Sequence, residues 1–198
     1  PPFDDMHSAD PIQPLMMMLH QINDQRQEDS VFHKAILKKN QEFAKRGLRV
    51  LACAIKKGKK TEFIGLVGME DPPRASVPGA LKDAKRAGIR TIMITGDNID
   101  TAVAIARQVG IVGDAIEGHE IDTLSDAKLR KQLLTTSVFA RVSPEHKVRI
   151  LTSLQHAGQV VAMSGDGVND APALKQAHVG VAMGKVGTDV AREAASIV

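Results

Sequence analysis

QVVAMSGDGVNDAPAL, residues 159–174, decides the fold. Gln159 to Met163 is a short apolar run of strand type. Ser164 to Asp170 is a polar turn holding two glycines, and a helix can open near Pro172, because proline is tolerated in a first helical turn. A strand that is apolar on both faces and runs into a helix belongs to a parallel sheet covered by helices. In such sheets ligands collect outside the carboxyl ends of the strands, which is where this turn falls.

The composition of the turn asks for more than a change of direction. Gly165 and Gly167 accept backbone angles closed to other residues and let a ligand come close. Asp166 and Asp170 offer hard oxygens of the kind magnesium prefers, and Asn169 can donate to a phosphate oxygen. The alternative is a plain polar turn in which Asp170 caps the following helix. Capping uses one acid and leaves the second acid, the amide and both glycines without a purpose.

Outward from this stretch the same strand–loop–helix unit recurs. Val77, Leu81 and Ala84 line one face of a helix that Gly88 stops. Thr91-Ile92-Met93-Ile94 reads as a strand. Thr95-Gly96-Asp97 follows, then a helix with Ala102, Val103, Ala106 and Val109 on one face, ending at Gly110; Asn98 or Asp100 can cap it. A strand-to-helix loop is a natural anion site, and two on one sheet strengthen each other. Ser125 can cap a short helix through Leu129 and Leu133. Val138-Phe139-Ala140 reads as a strand, and Val179-Gly180-Val181-Ala182 as another. Between them Ser143-Pro144-Glu145 opens a helix whose expected buried stripe is Val148, Leu151 and Leu154. Lys147, one turn into that helix, and Arg141, just past a strand end, would each alone be a solvated cation. They gain meaning if both aim at one anion.

Before residue 71 the pattern differs. Ser30 can cap a helix ending at Gly47, with Phe32, Ala35, Ile36 and Phe43 on one face. Arg49–Ile55 and Glu62–Met69 read as strands of an antiparallel hairpin, with Lys56-Lys57-Gly58-Lys59-Lys60 as a solvated tip. Asp71-Pro72-Pro73-Arg74 cannot continue a ladder and reads as a domain hinge. Residues 1–29 are irregular, and Met16–Met18 is packing material. Two domains are expected, 1–70 and 71–198.

Composition narrows the function. The chain has 198 residues, 43% of them hydrophobic, and a net charge of +3, enough for one core plus a small satellite. Five Phe with no Trp or Tyr leave little for base stacking, which argues against nucleic acid as a partner. Cys53 is alone, so no internal disulfide forms; in a strand it reads as buried and inert. The seven His show no zinc spacing. Gly184-Lys185 has the wrong spacing for a Walker loop, and Val186 stands where a hydroxyl is required. No run approaches the roughly 20 apolar residues of a membrane span, and no signal peptide opens the chain, so a soluble piece is expected.

Four stretches together resemble a P-type cation-transporting ATPase of the calcium type: SGDGVNDAPALKQAHVGVAMG from Ser164, ITGDN at Ile94–Asn98, VFARVSPEHK at Val138–Lys147 and MEDPPR at Met69–Arg74. Their order and spacing match from about residue 30 onward. The resemblance implies an α/β fold, a haloacid-dehalogenase-like parallel sheet covered by helices, carrying a partial antiparallel α+β remnant of a nucleotide-binding domain. It implies Mg²⁺ and ATP as cofactors. Asp166 would be a magnesium ligand, with Asp170 at the same metal holding the site in place. Asn169 would contact phosphate or nucleotide. Thr95, Gly96 and Asp97 would bind the transferring phosphoryl group and nucleotide phosphates, Lys147 would neutralise its charge with Arg141 nearby, and Arg49 would reach nucleotide phosphate. Lys147, Thr95 and Asp170 would be the catalytic set. The partners would be ATP and the rest of a pump, its actuator and membrane domains, on the cytosolic face of a membrane.

One departure matters. The family's Asp-Lys-Thr-Gly-Thr motif, whose Asp is phosphorylated, is absent from the sequence, and so is the Lys-Gly-Ala motif of its adenine pocket. By resemblance the absent segment is the central strand, between the strands ending at Met163 and Ile94. The sheet must then close the gap, borrow a strand such as Leu15–Leu19, or expose two edges. The chain by itself is expected to form no aspartyl phosphate. Two rival readings are a stand-alone haloacid-dehalogenase-like phosphatase, which the missing nucleophile disfavours, and a non-catalytic interaction module.

Overall fold

The computed structural model describes residues 29–58, 60–69 and 72–198. The expected roles of Leu15–Leu19 and of Glu70 and Asp71 in the hinge lie outside them. Backbone contacts divide the described chain into two compact units. One comprises the residues up to Thr91 together with Asp97–Ile111; the other comprises Ile92–Gly96 and Val112–Val198.

Among the described residues the first unit holds α1 (Asp29–Lys45), then β1 (Arg49–Lys57) and β2 (Lys60–Met69), paired antiparallel with Arg49 opposite Met69. Gly47, at φ +80, ends the first helix as expected, but Ser30 lies inside it. A two-stranded hairpin is marginal alone in water. Here Ile36 and Leu37 of α1 pack against Ala52, Phe63 and Leu66, and Phe32 meets the Phe63 ring edge-on at 5.9 Å. The helix thus covers one face only. Leu51, Cys53, Ile55, Ile64, Val67 and Met69 stay exposed. The expectation of a buried Cys53 fails for this reason: the hairpin has one covered face, and Cys53 is exposed. Likewise Ala35 is exposed, while Ile36 and Ala44 are the buried positions of α1. The unit also holds α2 (Val77–Arg86) and α3 (Ile99–Val109). Gly88 at φ +78 and Gly110 at φ +87 stop them where expected. Ala102, Ala106 and Val109 are the buried face of α3; no residue of α2 is buried.

The second unit is α/β. Its strands are β3 (Met93–Ile94), β4 (Asp114–Glu117), β5 (Thr136–Ala140), β6 (Ala162–Gly165) and β7 (Val179–Ala182). Helices α4 (Gly118–Thr123), α5 (Asp126–Gln132), α6 (Pro144–His156), α7 (Ala171–Gln176) and α8 (Asp189–Ala194) alternate with them. All pairings are parallel. β5 is buried throughout, and Phe139, Ile116, Ile121, Leu129, Leu133, Val142 and Ile150 form one core around it. Each such fully buried side chain contributes about 1.5–3 kcal/mol. A smaller core joins Leu174, Ala182 and Ala191 with Met163. Of the expected stripe of α6, Leu151 is buried and Leu154 packs against the core, whereas Val148 lines a surface cleft; Ile150 and Ser153 are buried as well.

Among the described residues the parallel sheet is in two pieces, ordered β3-β5-β4 and β6-β7. β3 pairs only with β5, and β6 only with β7, whose other side is bridged at Val181 by Ile197. Among the described residues the sheet therefore does not close over the gap expected between the strands at Ile94 and Met163. β6 shows the consequence. It begins at Ala162 rather than Gln159, Ala162 and Ser164 are exposed, and Val160 is 83% exposed. The expectation of a strand covered on both faces holds for β5 and fails for β6.

Candidate phosphate and magnesium site

The polar turn after β6 folds around one carboxylate. A short 3₁₀ turn, Val168–Asp170, leads into α7, with Asp170 at the helix N-cap position. Its side chain does not cap α7. Oδ2 instead accepts the backbone N–H groups of Asp166 at 3.2 Å and Gly167 at 3.1 Å, and Oδ1 accepts Lys147 Nζ at 2.5 Å. The plain capping turn is thereby excluded. Gly165 is required by contact: a Cβ there would lie 2.5 Å from Asp170 Cβ and 2.7 Å from Cγ.

Asp170 is buried and Lys147 nearly so, with side-chain exposures of 12% and 14%. Burial pushes the Asp170 carboxyl upward, but the Lys147 ammonium and the two backbone donors outweigh it and hold the group below the ordinary aspartate range. Lys147 spends one of its three donors on this bond, leaving two for another acceptor. Asp166 and Asn169 are exposed above this floor, and the Asp166 carboxylate makes no hydrogen bond or ion pair among the described residues.

The Thr95–Gly96 loop is tied to the same end of the unit through the β5–α6 junction. Thr95 N–H donates to Phe139 O at 2.9 Å, and Thr95 O accepts Val142 N–H at 3.2 Å. Val142 immediately precedes Ser143, which caps the helix carrying Lys147. A continuous path of bonds thus runs from Thr95 through Val142 and the first turn of α6 to Lys147, Asp170 and Asp166.

Arg141, in left-handed conformation at φ +49, places Nε 3.5 Å from Glu117 Oε1 at the end of β4. Asp97 and Arg49 belong to the first unit, where Arg49 opens β1 and both are exposed. Asn98, as one of the two expected caps, accepts Asp100 N–H at 2.8 Å and starts α3.

A family model described as haloacid dehalogenase-like hydrolase matches residues 15–178. The chain belongs to the haloacid dehalogenase-like hydrolases. Calcium-transporting ATPase 1 of Bacillus cereus is 50% identical over an alignment of 177 positions that covers 82% of this chain and 20% of that protein. Calcium-transporting ATPase 1 of Lactococcus lactis is 50% identical over an alignment of 174 positions that covers 80% of this chain and 20% of that protein. The human calcium-transporting ATPase type 2C member 2 is 47% identical over 157 residues, 77% and 16% respectively. The resemblance to P-type cation pumps therefore holds over most of the chain, and the chain spans about a fifth of the length of the Bacillus relative.

The residues of the second unit fit a magnesium ion in a limited way. No group of three or more His, Cys, Asp or Glu among the described residues could cage a metal. Magnesium does not need one, since it keeps several waters and takes one or two carboxylates plus substrate phosphate. Asp166 supplies an exposed carboxylate. Asp170, expected at the same metal and holding the site in place, accepts Lys147 and the Asp166 and Gly167 amides and so braces the loop.

A third loop of the second unit carries no sequence motif that names its role. Thr188 N–H donates to Asp166 O at 2.8 Å, and Arg192 donates to the Gly187 carbonyl and to Asp189. The segment containing Gly184 and Lys185, set aside as a failed Walker loop, thus buttresses the Asp166 turn. Thr188 as cap of α8, accepting Ala191 N–H at 3.3 Å, was the available signal.

Proposed function

We propose that this chain is the phosphoryl-handling part of an ATP-driven cation pump, and that it holds a magnesium ion and a phosphate oxygen at the ends of β3 and β6. The observation that carries this reading is the Lys147–Asp170 pair, which braces an exposed Asp166 while the same junction holds Thr95. Phosphoryl transfer depends chiefly on positioning and charge neutralisation. Asp166 would hold the metal with water and phosphate completing its shell. Bound there, magnesium would neutralise charge building on the phosphoryl oxygens. Lys147 offers its two remaining donors to those oxygens, and the Thr95 hydroxyl, the Gly96 amide and the Asn169 side chain offer neutral ones. Asp97, Arg141 and Arg49 are assigned to the nucleotide phosphates on the resemblance.

The names of the relatives make calcium the proposed ion, and the cytosolic face of a membrane the proposed place of the parent pump. Among the described residues no helix is long and apolar enough to cross a membrane. Because the sequence lacks Asp-Lys-Thr-Gly-Thr, this chain would bind weakly and would not turn ATP over. Calorimetric titration with ATP and Mg²⁺ tests this. The chain shows weak, magnesium-dependent heat that Asp166→Ala abolishes; equal binding by both proteins, or binding indifferent to magnesium, refutes the site.

A further inference from the structure

His146 occupies the third position of α6, directly before Lys147. Its Nδ1 lies 3.0 Å from the backbone nitrogen of Ser143, and its own N–H donates to Ser143 Oγ at 3.3 Å. The two residues close a reciprocal capping box. Its Nε2 lies 2.8 Å from Asp122 Oδ1 on α4, and the ring is 14% exposed. The ring sits against Gly118, where a Cβ would come within 2.7 Å of Nδ1.

A backbone N–H can only donate. Nδ1 must therefore accept, and the neutral ring carries its proton on Nε2, donated to Asp122. Protonation would put an Nδ1–H against the Ser143 N–H, two donors facing each other. The Asp122 bond would survive and the Ser143 bond would be lost. That bond pins the turn in which Lys147 N–H meets Ser143 O at 3.2 Å, and Ser143 follows the residue that holds Thr95.

We propose that His146 is a positioning residue for Lys147, locked in one tautomer, and that protonation of its ring opens the capping box and loosens the Lys147–Asp170 pair. The charged groups on the elements around the ring are accounted for. Asp122 touches it from α4, where Glu120 accepts the Glu117 N–H. Glu117 of β4 pairs with Arg141 and lies 3.3 Å from His119. On α6 itself, Lys147 pairs with Asp170 and Arg149 with Asp126, while Glu145 is held below the usual carboxylate range by its hydrogen bond to Ser143. Of the ring's two hydrogen bonds among the described residues, protonation turns the one to Ser143 unfavourable and leaves the one to Asp122 in place. The functional weight of His146 rests on the phosphate-site reading; its test does not.

The test is ¹⁵N and ¹³C NMR of the full chain between about pH 8 and about pH 5, the range in which histidine changes charge. At the upper end the ring shows the Nε2–H tautomer. As it protonates, the Ser143 amide proton and the Asp170 carboxyl carbon shift with the same midpoint. In His146→Gln, whose side-chain oxygen keeps an acceptor for Ser143, that shared midpoint is lost. An Nδ1–H tautomer, Ser143 and Asp170 signals that ignore the ring, or a midpoint persisting in His146→Gln overturns the proposal. Failure of the magnesium titration with these couplings intact would instead indict the phosphate site alone.

Discussion

Lys147 Nζ stands 2.5 Å from Asp170 Oδ1 with both side chains largely buried, while Asp166, in the same loop, stays exposed. Burial thus divides two acids of one motif into a buried brace and an exposed carboxylate. Breaking a buried pair strands a charge, at a cost of about 3–5 kcal/mol. Lys147→Met should destabilise the second unit by about that amount in urea denaturation. Lys147→Met with Asp170→Asn should lose less than the sum of the single changes, by about 1–3 kcal/mol.

The pair also sets an acid limit. The folded-state pKa of Asp170 is depressed, so its contribution is fully present above the unfolded value, about 3.9. It is lost as pH falls from there through the lower folded value. The stability difference between the native chain and Asp170→Asn should therefore be constant near neutrality and shrink below about pH 3.9. Denaturation curves collected across that range check the direction.

Gly165→Ala places a methyl 2.5 Å from Asp170 Cβ, a clash with a braced side chain rather than a free one. Overpacking of this kind costs about 1–3 kcal/mol. Gly158→Ala, at φ +77 with nothing near its Cβ, should suffer backbone strain alone. The Gly165 change should also shift the Asp166 and Gly167 amide signals, and the Gly158 change should leave them in place.

Cys53 lies on the uncovered face of the hairpin beside Leu51 and Ile55. It should react with an aromatic disulfide reagent in native buffer about as completely as in urea. A thiol silent until the chain unfolds would contradict the exposed face.

The order of helices and strands after residue 71 was legible because its punctuation is local. Gly88 and Gly110 stop helices at positive φ, and Pro144 and Pro172 start them. The capping box at Ser143 is likewise a short-range pattern. β4 and α4 escaped, since Asp114–Glu117 is short and half polar, and its strand character comes from pairing with Thr136–Ala140. The exposure of Cys53 escaped for the opposite reason: alternation reveals two faces of a strand but not whether anything covers the second. In the site, the residue types at Asp166, Asp170, Lys147 and Thr95 were readable. The partner of each was not, because the Lys147–Asp170 and Thr95–Val142 contacts join elements distant in sequence.

The proposed convergence of the two loops on one ion is most directly tested with Mn²⁺ in place of magnesium, by paramagnetic broadening of amide signals in the presence of inorganic phosphate. Broadening of Thr95 and Gly96 together with Gly165 to Asp170, abolished in Asp166→Ala, is the expected result. Broadening confined to one of the two loops, or unchanged in Asp166→Ala, would contradict it.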